Sequence, residues 1–96
     1  MANVKVEYGE KKVELSRLYP FGETNEVETA EGKKKVTVLR LKELNGYDNV
    51  AMSKEIENGK LAGYLQIASS AGITYDEALM LADKDSNKLA EAIQGF

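Results

Sequence analysis

The sequence predicts an α+β fold, in which a small antiparallel β-sheet of N-terminal hairpin strands is followed by a bundle of three or four short α-helices. Apolar and polar residues alternate through residues 4–18 and again through residues 34–40, which is the period of a half-buried strand. From residue 60 onward the apolar residues instead recur at i, i+3, i+4 and i+7, which places them on one stripe of a helix. The alternative that these patterns leave open is an all-helical domain with a disordered N-terminal arm.

The length of the chain favours one domain over residues 1–96. A chain of 96 residues can enclose a single small core, and no linker, internal repeat or low-complexity tract divides it. Residues 1–45 are predicted to be mainly strands and loop, whereas residues 46–96 are predicted to be mainly helices.

The first predicted hairpin spans residues 4–18. Apolar residues alternate with charged residues over residues 4–8, residues 8–11 offer a turn, and the alternation resumes at Val13. Pro20 has no backbone N–H to donate to a β-ladder, so we expect the second strand to stop there or to lie at a sheet edge.

The segment that follows, residues 22–32, is predicted to be a mobile loop, because it is polar, acidic and poor in large apolar side chains. A weaker interpretation extends residues 25–30 into a strand, with Glu31 and Gly32 as the turn of a second hairpin. Three consecutive lysines then precede the predicted strand at residues 34–40. We interpret these lysines as a solvated strand entrance that discourages edge-to-edge pairing.

Four segments of the helical part have helical spacing of apolar residues or helix-capping signals at their ends. The predicted helices are residues 47–56, 60–71, 75–82 and 86–94. Thr74 and Glu77 have the spacing of a capping box, which predicts the start of the third helix. In the first helix, Tyr47, Val50 and Ala51 share one apolar stripe.

The composition argues against catalysis and against nucleic-acid binding. The chain has no His and no Cys, so it lacks the usual general base near neutral pH and the commonest metal ligands. Its carboxylates form no constellation typical of a catalytic site, and we therefore expect neither enzymatic activity nor a cofactor. Residues 46–96 hold four Lys and no Arg against eight Asp and Glu, a balance that repels phosphate backbones.

The sequence also gives no sign of export or of a membrane partner. No apolar run approaches the roughly 18 residues that a membrane-spanning helix needs. The first residues do not combine a basic region with an apolar one, so we expect no signal peptide. The absence of Cys is compatible with a reducing cytoplasm.

The sharpest local pattern is the run from Asp83 to Asn87, which matches the D-x-D-x-N opening of a calcium-binding loop. The match fails at the sixth position, where Lys88 replaces the required Gly, and at the twelfth, where Gln94 replaces a bidentate Glu. We therefore expect no metal site here and predict instead that Asp83 or Asp85 caps the last helix.

One feature favours a protein partner. The predicted helix over residues 75–82 is apolar around nearly its whole circumference, and a domain of this size rarely encloses a helix completely. Met52 likewise lies off the apolar stripe of its helix. We predict that Met80 borders a protein-binding surface, with Tyr75 and Met52 as further members, because exposed Met and Leu suit adaptable contacts.

The order of these signals resembles a known family over residues 13–96. The residues that carry the resemblance are Val38-Leu39-Arg40-Leu41, Leu44, Gly46, Asp48, Leu65, Ala71-Gly72-Ile73, Glu77-Ala78, Leu81-Ala82-Asp83, Leu89, Ile93 and Phe96. Residues 13–21 would correspond to the family's first strand and the Pro that follows it. In this order they resemble the short phage tail assembly chaperones of the Mu and P2 kind, although residues 1–12 and 22–32 extend beyond that pattern.

The resemblance implies a non-enzymatic protein of the bacterial host cytoplasm, made by a phage or prophage. Such chaperones keep the long, helical tape measure protein soluble and help to bring tail-tube subunits to it. Many occur in a short and a frameshift-extended form, and a chain ending at Phe96 resembles the short form. The competing hypothesis is a small cytoplasmic adaptor or regulatory module that binds a folded partner. Both hypotheses leave a homo-oligomer open.

Overall fold

The computed structural model describes residues 4–96 and confirms the α+β fold, with a three-stranded antiparallel sheet followed by four helices. The strands are β1 (Glu10–Glu14), β2 (Glu23–Thr29) and β3 (Gly32–Lys42), and the helices are α1 (Gly46–Glu57), α2 (Ala62–Ala71), α3 (Tyr75–Leu79) and α4 (Asp83–Gln94). The all-helical alternative is therefore wrong.

The sheet has the order β1-β3-β2, so the longest strand is central and the first predicted hairpin does not form. β1 pairs antiparallel with β3 from Glu10 opposite Lys42 to Glu14 opposite Val38. Residues 4–9 lie outside any strand, because β3 ends where β1 begins and offers them no backbone to pair with. The prediction of a strand over residues 4–8 was wrong for this chain taken alone.

The prediction of a mobile loop over residues 22–32 was also wrong, and the weaker interpretation of a second hairpin is confirmed. β2 pairs with β3 along its whole length, and Ala30 and Glu31 form the turn. Glu26 lies opposite Lys35 and Glu28 lies opposite Lys33. Opposite charges facing each other across a strand pair are stabilising, so the acidic segment and the lysine run match as neighbouring strands.

Two of the four helices, α1 and α3, begin where side chains satisfy their first backbone N–H groups. Thr74 and Glu77 form the predicted capping box at α3, with the Glu77 N–H donating to Thr74 at 3.1 Å and the Thr74 N–H donating to Glu77 at 2.9 Å. Asn45 and Asp48 form a second capping box that starts α1. α3 ends at Leu79, three residues earlier than predicted.

The core lies between one face of the sheet and the helices. Its buried residues come from the segment around β1, from β3 and from the region α2 to α4; they are Val13, Leu15, Leu39, Leu41, Ile67, Ala68, Ala78, Leu81 and Leu89. The aromatic residues Tyr19, Phe21, Tyr64 and Phe96 pack against it while remaining partly exposed. The sheet and the helical part therefore share one core, which fixes the helices relative to the strands.

A buried carboxylate also joins the strand region to the last helix. Asp85 is only 2% exposed. It accepts hydrogen bonds from the backbone N–H of Ser16 at 2.8 Å, from the Ser16 hydroxyl at 2.7 Å and from the Tyr19 hydroxyl at 2.6 Å. The Tyr19 oxygen in turn accepts the N–H of Ala82 at 3.0 Å. We call Ser16, Tyr19 and Asp85 the polar clamp.

The prediction that Asp83 or Asp85 caps α4 was wrong. The N-cap residue is Ala82, and no side chain caps this helix. Asp83, the other predicted cap, is exposed. The Asp85 carboxylate is engaged by donors on a distant segment of the chain, so it serves tertiary packing instead of its own helix terminus.

The ionisation of the polar clamp makes stability depend on pH. Burial alone would raise the pKa of Asp85, but the hydrogen bonds from Tyr19 and Ser16 stabilise the carboxylate more strongly and hold its pKa below the ordinary 3.8. Burial, followed by the hydrogen bond to Asp85, raises the pKa of Tyr19 above its ordinary 10.0. The folded protein therefore favours ionised Asp85 beside neutral Tyr19.

We expect the polar clamp to weaken in acid. A carboxyl with a lowered folded-state pKa contributes its full stability above its unfolded pKa and loses it as the pH falls through the folded-state pKa. The difference in unfolding free energy between the wild type and Asp85→Asn should thus be constant from pH 6 to 8 and shrink below about pH 4. Urea denaturation of both proteins across this range measures it; a difference that grows in acid would contradict the assignment.

Candidate protein-interaction surface

Large apolar side chains are exposed at the end of α1, at the start of α2 and at the end of α3. Ile56 is 44% exposed, Leu61 60%, Leu79 47% and Met80 57%. Tyr75 is half-buried beside them. We call these five residues the end patch. Several exposed apolar side chains in neighbouring elements are typical of protein-interaction sites, whereas single ones need no explanation.

Polar contacts join two members of the end patch, Leu61 and Tyr75. The Tyr75 hydroxyl accepts the backbone N–H of Leu61 at 3.0 Å, which joins the start of α2 to the start of α3. Lys60 places its ammonium 5.5 Å from the centre of the Tyr75 ring and forms an ion pair with Glu55. The hydrogen bond to Glu55 raises the pKa of Lys60, so this ammonium stays charged beside the aromatic ring. Lys60 and Glu55 therefore form a charged border beside Tyr75.

The position of Met80 agrees with the exposure that its predicted role requires. Met80 follows α3 as its C-cap residue, and its backbone N–H donates to Glu77 at 3.1 Å. The neighbouring Ala78 and Leu81 are buried, at 0% and 5% exposure. The short α3 thus buries one side and leaves Leu79 and Met80 exposed to solvent. It is shorter than the helix over residues 75–82 from which the exposure of Met80 was predicted. That Met80 and Tyr75 bind a protein stays a prediction.

The prediction that Met52 belongs to an exposed protein-binding surface was wrong. Met52 is only 6% exposed, so it cannot border a surface that a partner reaches without rearrangement. The predicted stripe of α1 faces solvent instead: Tyr47 is 89% exposed and Val50 61%. The helix packs mainly against α2, with Met52 as its buried residue. Apolar spacing located the stripe, but the spacing alone does not say which side of a helix meets the core.

Sequence reasoning therefore missed the second exposed apolar surface, which we call the α1 face and define by Tyr47 and Val50. It also missed Leu61, Leu79 and Ile56 as members of the end patch. The sequence did contain a signal for the exposure of Leu61. This residue follows a turn and is the N-cap of α2, a position that flanks the helix. No sequence signal distinguished the exposed α1 face from a buried one.

A groove of about 400 Å³ lies where α4 meets the strands, but its polar groups already serve the fold. The Lys88 ammonium donates to the carbonyl of Glu14 at 2.7 Å, and the Lys34 ammonium donates to the carbonyl of Ser16 at 2.7 Å. The Asp85 carboxylate in its wall belongs to the polar clamp. These contacts assign the groove to the junction of sheet and helix.

Over residues 4–96, no three acidic side chains come together as metal ligands would. The D-x-D-x-N run occupies the first turns of α4 and therefore does not form a loop. No helix in the described range is long and apolar enough to span a membrane.

Comparisons of the chain with protein-family models, with curated proteins and with solved structures found no match.

Proposed function

We propose that this protein is a non-enzymatic phage tail assembly chaperone that binds the tape measure protein in the bacterial host cytoplasm and helps to bring tail-tube subunits to it. The observation that carries the proposal is the end patch, whose four large apolar side chains at the ends of α1 and α3 and the start of α2 are 44–60% exposed. A chaperone for a long helical protein needs such a surface, because the partner's apolar stripe must be covered until assembly.

The chemistry of the end patch suits a helical partner. An amphipathic helix docks by placing its i, i+3, i+4 and i+7 side chains on an apolar floor. Met80 and Leu79 supply flexible, adaptable side chains for that floor. The rim carries Asp76 and Glu77 in the first turn of α3, and residues 46–96 have a net charge of −4. The preferred helix therefore carries Lys or Arg beside its apolar stripe.

We expect Met80→Asp to abolish co-purification with the tape measure protein of the same phage. A charge within the end patch would have to be desolvated by the docking helix, which is strongly unfavourable. The variant should keep its melting temperature close to that of the wild type, because a side chain that is 57% exposed can keep its charge in water. The measurements are a pull-down with the tagged chain and the thermal denaturation of the variant alone.

Val50→Asp is the matched control, because Val50 is similarly exposed, at 61%, on the α1 face. Binding that survives Val50→Asp but not Met80→Asp supports the end patch. The reverse result would move the contact to the α1 face. Binding that survives both changes would refute docking on either surface, whereas a wild type that fails to recover the tape measure protein would refute the chaperone proposal and favour the adaptor hypothesis. Unfolding of Met80→Asp would mean that Met80 is required by the core.

A further inference from the structure

Residues 4–8 have the sequence of a β-strand but no strand to pair with. Val4 is 86% exposed, Val6 65% and Tyr8 50%, and these three alternate with Lys5 and Glu7. Within residues 4–96, no strand of the same chain pairs with this segment. An unpaired segment with strand periodicity and one apolar face is a ready template for pairing with another chain.

The base of this segment is fixed to the sheet. The Gly9 N–H donates to the Glu43 carboxylate at 2.9 Å, and the Glu43 N–H donates to the Gly9 carbonyl at 2.9 Å. Phe96 packs so closely that a Cβ at Gly9 would lie 3.0 Å from its ring. Residues 4–8 therefore leave the sheet from a held point and directly precede β1, which reduces the conformational freedom lost on pairing.

The charges of Lys5 and Glu7 favour pairing of this segment with a second copy of itself, and they favour one register of that pair. In an antiparallel pair, apolar residues stay on one face only if residues of the same parity oppose each other. Centring the pair on Lys5 places lysine opposite lysine, and centring it on Glu7 places glutamate opposite glutamate. Centring it on Val6 places Lys5 opposite Glu7 in both directions, an arrangement that cross-strand charge pairing favours.

We propose that residues 4–8 form a two-fold symmetric, antiparallel strand pair with the same residues of a second copy, with Val6 opposite Val6 and Val4 opposite Tyr8. All the apolar residues of the segment then share one face, and both Lys5–Glu7 pairs lie on the other. Two five-residue strands bury far less than the roughly 1,200 Å² of a stable complex, so the dimer is weak and forms at high protein concentration. The dimer uses none of the residues of the end patch.

Cysteine cross-linking tests the register directly, because the natural chain contains no Cys. Opposed residues of an antiparallel pair have Cβ atoms about 4.5–5.5 Å apart, within reach of a disulfide after a small adjustment. In a glutathione redox buffer, Val6→Cys should form a covalent dimer. Val4→Cys is the matched control, since it changes the same residue type on the same face but lies opposite Tyr8. Equal cross-linking of the two variants, or none of Val6→Cys, would overturn the proposal.

Charge exchange tests the partner. Lys5→Glu places glutamate opposite glutamate twice in a homodimer, and Glu7→Lys places lysine opposite lysine twice, so each variant should dimerise at least about tenfold more weakly than the wild type. An equimolar mixture of the two restores both opposite-charge pairs, and so does the double variant. Sedimentation velocity of all five samples at low salt gives the dimer fraction.

The control exchanges charges elsewhere, with Lys54→Glu and Glu57→Lys on α1, which should leave the dimer fraction unchanged. Weaker dimerisation of both single variants with recovery in the mixture supports the proposed pair. A wild type that stays monomeric up to millimolar concentration overturns it. A dimer fraction that is unchanged in the Lys5 and Glu7 variants also overturns it, because the copies would then meet through another surface.

Discussion

Replacing Asp85 with alanine is expected to lower the free energy of unfolding by about 3–5 kcal/mol. The change leaves three donors, two on the half-buried Ser16 and one on the half-buried Tyr19, without the Asp85 carboxylate, which is itself only 2% exposed. Each buried donor left unpaired costs about 1–3 kcal/mol, and relaxation toward water recovers part of the total. Because the stability of a domain is on the order of 5–15 kcal/mol, this variant should be close to unfolding at 37 °C. Urea denaturation monitored by circular dichroism measures the change.

Asp83→Ala is the matched control for that experiment. Asp83 lies two residues earlier in the same first turn of α4, is exposed, and has no capping hydrogen bond. Its loss removes only a favourable interaction with the helix dipole, about 0.3–1 kcal/mol. If the two alanine variants lost equal stability, Asp85 would matter only through the helix terminus, and the polar clamp would not stabilise the fold.

The polar clamp also affects the end patch. The Tyr19 hydroxyl that donates to Asp85 accepts the N–H of Ala82, two residues after Met80. The same cluster thus holds the turn by which the chain leaves the end patch and enters α4. A loss of binding in Asp85→Ala would therefore report a displaced turn, and Met80→Asp remains the direct test of the surface.

Replacing Gly22 with alanine is expected to lower the free energy of unfolding by about 2–4 kcal/mol. Gly22 has a φ of +77°, a conformation that costs an L-residue about 1–2 kcal/mol. An added Cβ would also lie 2.7 Å from the Leu39 side chain and 2.9 Å from that of Thr37, both buried in the central strand. These neighbours cannot move without disturbing the core. The midpoint of urea denaturation measures the loss.

Gly59→Ala separates the two causes. Gly59 has a φ of +90°, but a Cβ there meets nothing within 4 Å. Its substitution should therefore cost only the backbone strain, about 1 kcal/mol. Equal losses at Gly22 and Gly59 would show that Leu39 and Thr37 accommodate the methyl group, and the close approach at Gly22 would then have no energetic consequence.

The sequence by itself determined the features whose causes are local. The α+β order follows from the change of apolar period from two to 3.6, and the start of α3 follows from Thr74 and Glu77, three residues apart. The exposure of Met80 also followed from a local excess of apolar residues near α3. Each of these depends on residues within one or two turns, which a single sequence displays directly.

Tertiary structure alone decided which partner each segment meets. Asp85 had the local pattern of a helix cap, yet its donors lie 66 and 69 residues away. Met52 became buried because α1 turned that side toward the rest of the protein. The acidic residues 23–29 became a strand because the lysine-rich start of β3 lies opposite. Residues 4–8 kept the strand pattern but found no strand, since β3 ends opposite Glu10. In each case the local pattern fits more than one structure, and the free energy of contacts between distant segments selects among them.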